Sequence, residues 1–560
     1  MLENIDLNQI QDENARELIQ RLLNLVEQLS LDLRDAQSEI QRLRDEVNRL
    51  KGEQGQPKIK GNTPKPPPSD HSSEKERQTA RPRHKSHKNS EIKINREQEA
   101  AVDPAILPAD AQFKGHDDVV VQDILLSTDN VLFHKQKYYA ASTKTTYLAE
   151  LPRGYAGQFG PGIKALTTAL YFGMGTSEPK IREFYENVGI QISEGEISNL
   201  LIKDQAGFHA EKDAVYAAGL KSSPWQQTDD TATRVDGQNQ HCHVVCNPVY
   251  TSFHTRPSKE RLAVLDVLRQ GRKRIFRLNA EALGYLETLA WPKKTWRRVQ
   301  SWSAECAERD LEESFFMAQL EVVLPHLGQQ QRKALIDAAA VAAYHAETDF
   351  PVVQALMCDD APQFNWLSWG KMLCWVHAGR HFKKLIPVVA LHRAWLGDFL
   401  KRFWAYYHQL LAYTQKPTAE ESARLETEFD VLFATRTGYA DLDQRIALTQ
   451  AKKANLLLVL KYPELPLHNN DAELGARQRV RKRDVSFGPR TQDGVRAWDT
   501  FATLAATAKK LGVSFYHYLY DRISGKNQIP PLADLVEKRA KELNLGWSWA
   551  GSYSCPYLLR

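Results

Sequence analysis

The sequence predicts a mixed α/β protein, a sheet-based core interrupted by helical insertions and preceded by a coiled coil and small modules. Three observations carry that expectation. The runs SPWQQTDDTATRVDG, HCHVVCN and YTSFHTR read as successive strands, and FPVVQALMCDD reads as a buried strand ending in acids. Between and beyond these runs lie long stretches of helical periodicity. At 560 residues the chain also exceeds the roughly 250 to 300 residues at which single cores stop growing, so several folded units are expected.

Hydrophobic residues at 42% and charged residues at 26% are ordinary for a globular chain. The formal charge of +5 matters less than its clustering at residues 272–274, 293–298, 383–384 and 477–483, where phosphates could be neutralised. Six scattered cysteines, Cys242, Cys246, Cys306, Cys358, Cys374 and Cys555, argue against a secreted disulfide framework. The first residues show no basic leader before an apolar core, and no later run is apolar enough to span a membrane. The expected compartment is the cytoplasm, in association with the nucleoid, with no membrane partner.

In chain order, residues 1–52 are expected to form a coiled-coil oligomerisation helix. Leu18, Leu22, Leu25 and Leu29 follow a 4-3-4 spacing, which Ala36, Ile40, Leu43, Val47 and Leu50 repeat after a shift at Leu33. Such a stripe needs a partner, either a second copy or the body of its own chain. Residues 53–105 carry KPPP and a Ser/His/Lys-rich run, the composition of a disordered basic linker. Arg81, Arg83, Lys85 and Lys88 there face solvent or touch phosphates nonspecifically. Strand-like runs VVVQDILL, NVLFHKQKYYAAS and TTYLAEL predict a small β-rich module at 106–157. At 158–220 a helical module is expected, its stretch 178–205 reading as helix, turn at Gly189 and second helix from Ser193. This pair resembles a DNA-binding helix-turn-helix, although the second helix is acidic. The core is assigned to 221–525, with helical insertions at about 257–345 and 382–460, and a C-terminal helix and tail to 526–560. The first insertion is expected to bind DNA backbone or another protomer.

Three acids stand out. Asp229 lies on the first strand of a three-stranded meander, where an RNase H-like fold carries its first metal ligand; the bland reading is a turn or surface acid. Asp230 should point to the opposite face. Asp359 ends the apolar run at the sheet edge where ligands bind, with Asp360 as the competing ligand. Glu473 opens a helix after HNNDA, and is either a ligand or half of a capping box with Asn470; Arg477 should lie one turn beyond on the same face. Three carboxylates suit a two-metal site for phosphodiester chemistry, which needs no protein nucleophile.

These ordered motifs resemble the DDE transposases of the IS66 family. Asp229, Asp230, Thr231 and Arg234 stand at the family's Asp-Glu-Thr motif and following arginine, with Asp230 in place of the usual glutamate. Asp359 precedes Phe364 and Asn365, and Cys374, Trp375, His377 and Arg380 match Cys-Trp-x-His-x-x-Arg. Asn469, Asn470, Glu473, Arg477, Lys482 and Gly488 match the final signature, so that the resemblance covers about 160–525. It implies an α/β RNase H-like catalytic core, plus an N-terminal coiled coil and small β and helical DNA-binding modules. The implied activity is divalent-metal-dependent cleavage and strand transfer of insertion-sequence ends, with Asp229, Asp359 and Glu473 as catalytic acids and ligands of Mg²⁺ or Mn²⁺, two ions in number. Implied partners are transposon-end and target DNA, a homodimer or higher homo-oligomer through the coiled coil, and accessory proteins encoded by the element.

Arg234, Lys383, Lys384, Arg477, Arg479, Arg481, Lys482 and Arg483 are the expected DNA-binding residues, with Lys509 and Lys510 extending that surface. Cys374, Trp375, His377, Arg380, Asn469 and Asn470 are expected to be structural elements near the site. A zinc reading of Cys374 and His377, with Cys358 and His381, is open on spacing alone, as it is for Cys242 and Cys246; packing is favoured and no structural zinc is expected. Family members commonly carry a cysteine-rich zinc-binding segment, yet no cysteine precedes Cys242. The aromatics of FYHYLY and WSWAGSY are expected to pack or dock the tail. The alternative function is a domesticated, catalytically silent transposase acting as a DNA-binding protein.

Overall fold

A computed structural model of the chain describes residues 7, 10–51, 92–108, 111–155, 157–306 and 308–546. Most of the expected basic linker, WSWAGSY and Cys555 lie outside these residues. The first helix, Glu13–Leu50, is capped by Asp12, whose carboxylate accepts from the Asn14 amide at 2.9 Å. One face docks on the chain's own body. Glu27, buried, accepts from the Val388 and Val389 amides at 2.9 and 2.8 Å and pairs with His392 Nδ1 at 3.1 Å, so it caps the helix Ala390–Gln415 from outside. Asn24 bonds the Gly438 carbonyl and the Ala440 amide. The stripe of Leu18, Leu22, Leu25, Leu29, Leu33, Ile40, Leu43 and Val47 remains exposed.

The expected β-rich module is much reduced. Only Lys137–Ala140 (β1) and Thr145–Leu148 (β2) pair, as an antiparallel hairpin. VVVQDILL forms no strand, and Val119, Val121, Ile124 and Leu125 are exposed. A lone hairpin buries too little surface to recruit further strands.

The helix pair at 178–205 forms as expected. Glu178–Asn187 and Glu194–Ile202 flank the turn at Gly189, and Ser193 caps the second by accepting from the Glu196 amide at 3.1 Å. Ile181, Tyr185, Ile197 and Leu201 are buried in the main core, while Glu194 and Glu196 occupy the first turn of the second helix.

The central sheet has five strands. Trp225–Val235 (β3), Gln238–Asn247 (β4) and Tyr250–Arg256 (β5) form an antiparallel meander. The first insertion follows, built from helices Arg261–Leu268, Ala280–Glu287, Lys293–Cys306, Glu313–Val323 and Gln329–His345. It includes a small antiparallel pair, Ile275–Phe276 (β6) and Leu311–Glu312 (β7). The chain then re-enters the sheet as Ala355–Cys358 (β8) and Gly370–Leu373 (β9), parallel to β3, giving the order β5-β4-β3-β8-β9. β8 is buried throughout, which explains its unbroken apolar run.

β5 is an edge strand, and the helix Gln492–Lys510 covers it. Its outward amides at Thr251, Phe253 and Thr255 donate to Thr507 Oγ1, Thr503 Oγ1 and Asp499 Oδ2 at 3.3, 3.0 and 2.6 Å. Strand periodicity of two thus meets helix periodicity of four, and side chains replace a sixth strand.

The second insertion joins β9 to the helix Asn470–Ser486. It contains Trp375–Lys383, Ala390–Gln415, Ala419–Phe433, Ala440–Gln450 and the short helices Lys453–Leu456 and Leu458–Lys461, around an aromatic core of Trp375, Phe382, Phe399, Phe403, Phe429 and Phe433. The chain ends in helices Phe515–Ser524 and Leu532–Glu542; Tyr518 and Leu519 are buried, so FYHYLY packs as expected. No helix of the described residues is long and apolar enough to cross a membrane.

Helix Asn470–Ser486 crosses the sheet at Gly475, where a Cβ would sit 2.8 Å from Val244 Cγ1. Gly475→Ala is therefore expected to lower unfolding free energy by about 1–3 kcal/mol in denaturant titrations. Gly397→Ala, in a helix with open space around the new carbon, is expected to raise it by about 0.4–1 kcal/mol.

Candidate functional site

Hydrogen bonds tie three chain segments together at the sheet edge. The Cys374 amide bonds the Cys358 carbonyl at 3.1 Å, fixing the end of β8 against the end of β9. Asn469 Nδ2 donates to the Thr228 carbonyl of β3 at 2.6 Å, and the Asn469 amide donates to Cys374 Sγ at 3.3 Å. Asn469 also serves as the N-cap residue of helix Asn470–Ser486, without a side-chain cap bond. Each tie lies close to one acid: Thr228 precedes Asp229, Cys358 precedes Asp359, and Asn469 lies one helical turn before Glu473.

The consequence is electrostatic. Burial first, and then the neighbouring carboxylates of Asp359 and Glu473, push the Asp229 carboxyl up to about 7, against the opposing hydrogen bond from the Asp230 amide. The structure therefore brings the three predicted acids together. Asp359 directly follows β8, and its Oδ1 accepts from the Ala361 amide at 3.0 Å. Asp360 turns to different partners, Lys371 at 3.4 Å and Lys452. Asp230 likewise accepts from Gln363 Nε2 at 2.9 Å.

Glu473 is buried and does not act as a capping-box acid. Its Oε2 is held by Arg380 Nη2 at 3.1 Å and Arg477 Nη2 at 3.4 Å, while Oε1 has no hydrogen-bond partner. Arg380 Nη1 also donates to His377 Nε2 at 2.9 Å, so the neutral imidazole carries its proton on Nδ1, 3.6 Å from Glu473. Burial lowers the His377 pKa and keeps the ring neutral, with Glu473 opposing that shift. Cys374 Sγ, a His377 ring nitrogen and a Glu473 oxygen all lie within 4.8 Å of one another. Burial pushes the Cys374 thiol up to about 11. Trp375 is fully buried, and its Nε1 donates to the Leu456 carbonyl at 2.9 Å. Asn470 is buried beside Asn469. Cys242 and Cys246 belong to the sheet core, their thiols pushed up to about 12 by burial.

The expected basic surface needs correction. Arg479 is buried, bonding Thr255 Oγ1 at 2.9 Å and lying over the Trp498 ring. Lys482 is buried against Tyr171 and donates to the Thr176 carbonyl; burial pushes its ammonium down to about 7. Lys510 is held by the Asn247 and Tyr250 carbonyls and by Asp471. These three cations hold the core, which helical spacing alone does not reveal. Arg234, Lys383, Lys384, Arg477 and Arg481 are exposed, and Arg483 reaches the Ala232 carbonyl. Gly488, at φ 104°, lets the following turn close on β3, where a Cβ would meet the Arg234 carbonyl oxygen at 2.5 Å.

Sequence reasoning missed the partners that separate the acids from their neighbours. Gln363, Lys371 and Lys452 each lie in a loop or insertion without local pattern, and their roles exist only in three dimensions.

Mixed α/β architecture, with acids gathered where an antiparallel meander meets parallel strands, frames the comparison with known proteins. The family described as Transposase IS66 family matches residues 331–497, a span that includes Asp359 and Glu473. The chain is also 32% identical over 324 residues to the uncharacterized protein y4jO of Sinorhizobium fredii (strain NBRC 101917 / NGR234), covering 58% of this chain and 99% of that protein. The chain belongs to the IS66 family of transposases.

A raised carboxyl binds its proton in the folded state after the unfolded chain has released it. Between the ordinary value of about 4 and about 7, folded chains without metal should therefore lose stability as pH rises. Melting temperatures in chelator are expected to fall across that window for the unaltered chain and to fall less for Asp229→Asn. Equal pH profiles would refute the Asp229 assignment.

Proposed function

We propose that this transposase has an RNase H-like core that cuts and joins DNA at insertion-sequence ends, using Asp229, Asp359 and Glu473. The observation that carries this reading is the raised Asp229 carboxyl. Three acids from separate parts of the sequence are held close enough to repel, a cost that evolved proteins accept at functional sites. The sheet order β5-β4-β3-β8-β9, with the first acid on β3 and the second just after β8, supports the same reading.

The donor set fits hard divalent cations. Carboxylate oxygens are their preferred ligands, and the buried Oε1 of Glu473 has no protein partner. Asp229, Asp359 and Glu473 would hold one or two Mg²⁺ or Mn²⁺ ions, which when bound activate the attacking water or 3′-hydroxyl and stabilise the leaving oxygen. Arg380 and Arg477 orient Glu473 through its other oxygen. Below pH 7 the proton on Asp229 opposes cation binding, so affinity falls with pH. Exposed Arg234, Lys383, Lys384 and Arg481 surround the site with positive charge suited to a scissile strand.

The exposed apolar stripe of helix Glu13–Leu50 supports assembly as a homodimer through a coiled coil, while Glu27 fastens the opposite side to the second insertion. Element ends come in pairs, and a two-fold assembly would present one site to each. Accessory proteins of the element would act on this complex.

In a joining assay with a pre-cut element-end duplex, plasmid target and Mg²⁺ or Mn²⁺, products are expected from the unaltered chain and at least a 100-fold loss from Asp359→Asn. End binding without joining, even with element-encoded partners added, would instead identify a silent DNA-binding derivative. Leu25→Glu combined with Leu29→Glu is expected to halve the mass measured by light scattering while leaving the melting temperature within a few degrees. An unchanged mass would exclude the helix as the dimer contact.

A further inference from the structure

The first insertion carries a basic groove apart from the catalytic acids. Its wall is the helix Lys293–Cys306, where Lys293, Lys294, Arg297 and Arg298 are exposed on one face while Val299, Trp302, Ser303 and Cys306 are buried on the other. The facing wall comes from the end of the helix Glu313–Val323 and from Pro325, and the groove encloses about 880 Å³.

These four cations differ from most others in the same insertion. Arg261 pairs with Asp337 at 2.8 Å, Arg269 with Glu347, Arg274 with Asp266, Arg277 with Asp310 and Lys333 with Glu260. Among the described residues, no ion pair is formed by Lys293, Lys294, Arg297 or Arg298, although Glu305 lines the same groove. Positions i, i+1, i+4 and i+5 fall within one face of a helix. They span about 7.5 Å of its axis at 1.5 Å per residue. A DNA duplex presents about one phosphate per 1.7 Å of its own axis, so roughly four phosphates match four cations. The helix N-terminus adds a favourable dipole at Lys293.

We propose that this groove holds the sugar–phosphate backbone of duplex DNA, as a sequence-independent contact outside the reacting strand. The proposal rests on the DNA-joining reading above and extends it by naming a second contact surface. Lysine ammonium and exposed guanidinium groups supply point charges here, without the paired amides that read base edges. The contact therefore sets affinity and register on the duplex and leaves sequence choice to other residues.

The test is fluorescence anisotropy of the full chain with two duplexes of unrelated sequence, titrated between 50 and 200 mM salt. Replacing the four cations together (Lys293→Ser, Lys294→Ser, Arg297→Gln, Arg298→Gln) is expected to make the log–log salt slope shallower by about 0.9 per lost contact, up to roughly 3.6, and by the same amount for both duplexes. Glu305→Lys, which adds a cation to the same groove, is expected to steepen the slope by about 0.9. This second variant decides the question if the fourfold change prevents folding. Slopes unchanged in a folded variant overturn the proposal, and a loss confined to one duplex overturns its sequence-independent character. Failure of the unaltered chain to bind either duplex defeats the DNA-joining reading as well. Normal binding with an unchanged slope defeats only the groove.

Discussion

Three carboxylates that repel one another have to be held in place by contacts stronger than their repulsion, and here Asn469 provides the joint. Its side-chain amide is bonded to β3 and its backbone amide to Cys374, whose own amide is bonded to the end of β8. Backbone hydrogen bonds of this kind, buried from water, are costly to break because each orphaned group would lose its partner. The sheet register and the start of helix Asn470–Ser486 are therefore locked together. The guanidinium groups of Arg380 and Arg477 offset part of the remaining charge through a single oxygen of Glu473.

The same logic explains how two long insertions leave the site intact. Each has its own apolar interior: the first shares the main core beneath the sheet, and the second builds an aromatic core around Trp375 and Phe403. An insertion that folds around its own side chains does not strain the strands it separates. The short ties at Cys358, Cys374 and Asn469 then suffice to close the edge. Glu27 repeats the pattern on a larger scale, since a buried carboxylate that caps a helix fixes where the N-terminal helix can lie.

Desolvation sorts the cations. Arg479 and Lys482 lie on the same helix as Arg477 and Arg481, yet the first two face aromatic rings in the interior and the second two are exposed. Arginine and lysine can cover apolar surface with their stems while their charged ends find carbonyls or rings. A run of basic residues is thus a mixture of structural and surface groups. Charge clustering becomes informative only when burial and ion pairing are known.

The sequence by itself determined the family, the order of strands and insertions, and the identity of the gathered acids, because those depend on local alternation, apolar runs and ordered motifs. Asp359 was legible as the acid directly ending a buried run, and Glu473 as the acid opening a helix with Arg477 one turn on. Tertiary structure alone decided that Asp360 turns to Lys371 and Lys452, that Asp230 bonds Gln363, and that VVVQDILL stays unpaired. It also decided which face of the first helix docks and which remains open. The physical reason is range: periodicity reports which side of an element is apolar, whereas a carboxylate's partner or a strand's neighbour is chosen by residues far away along the chain.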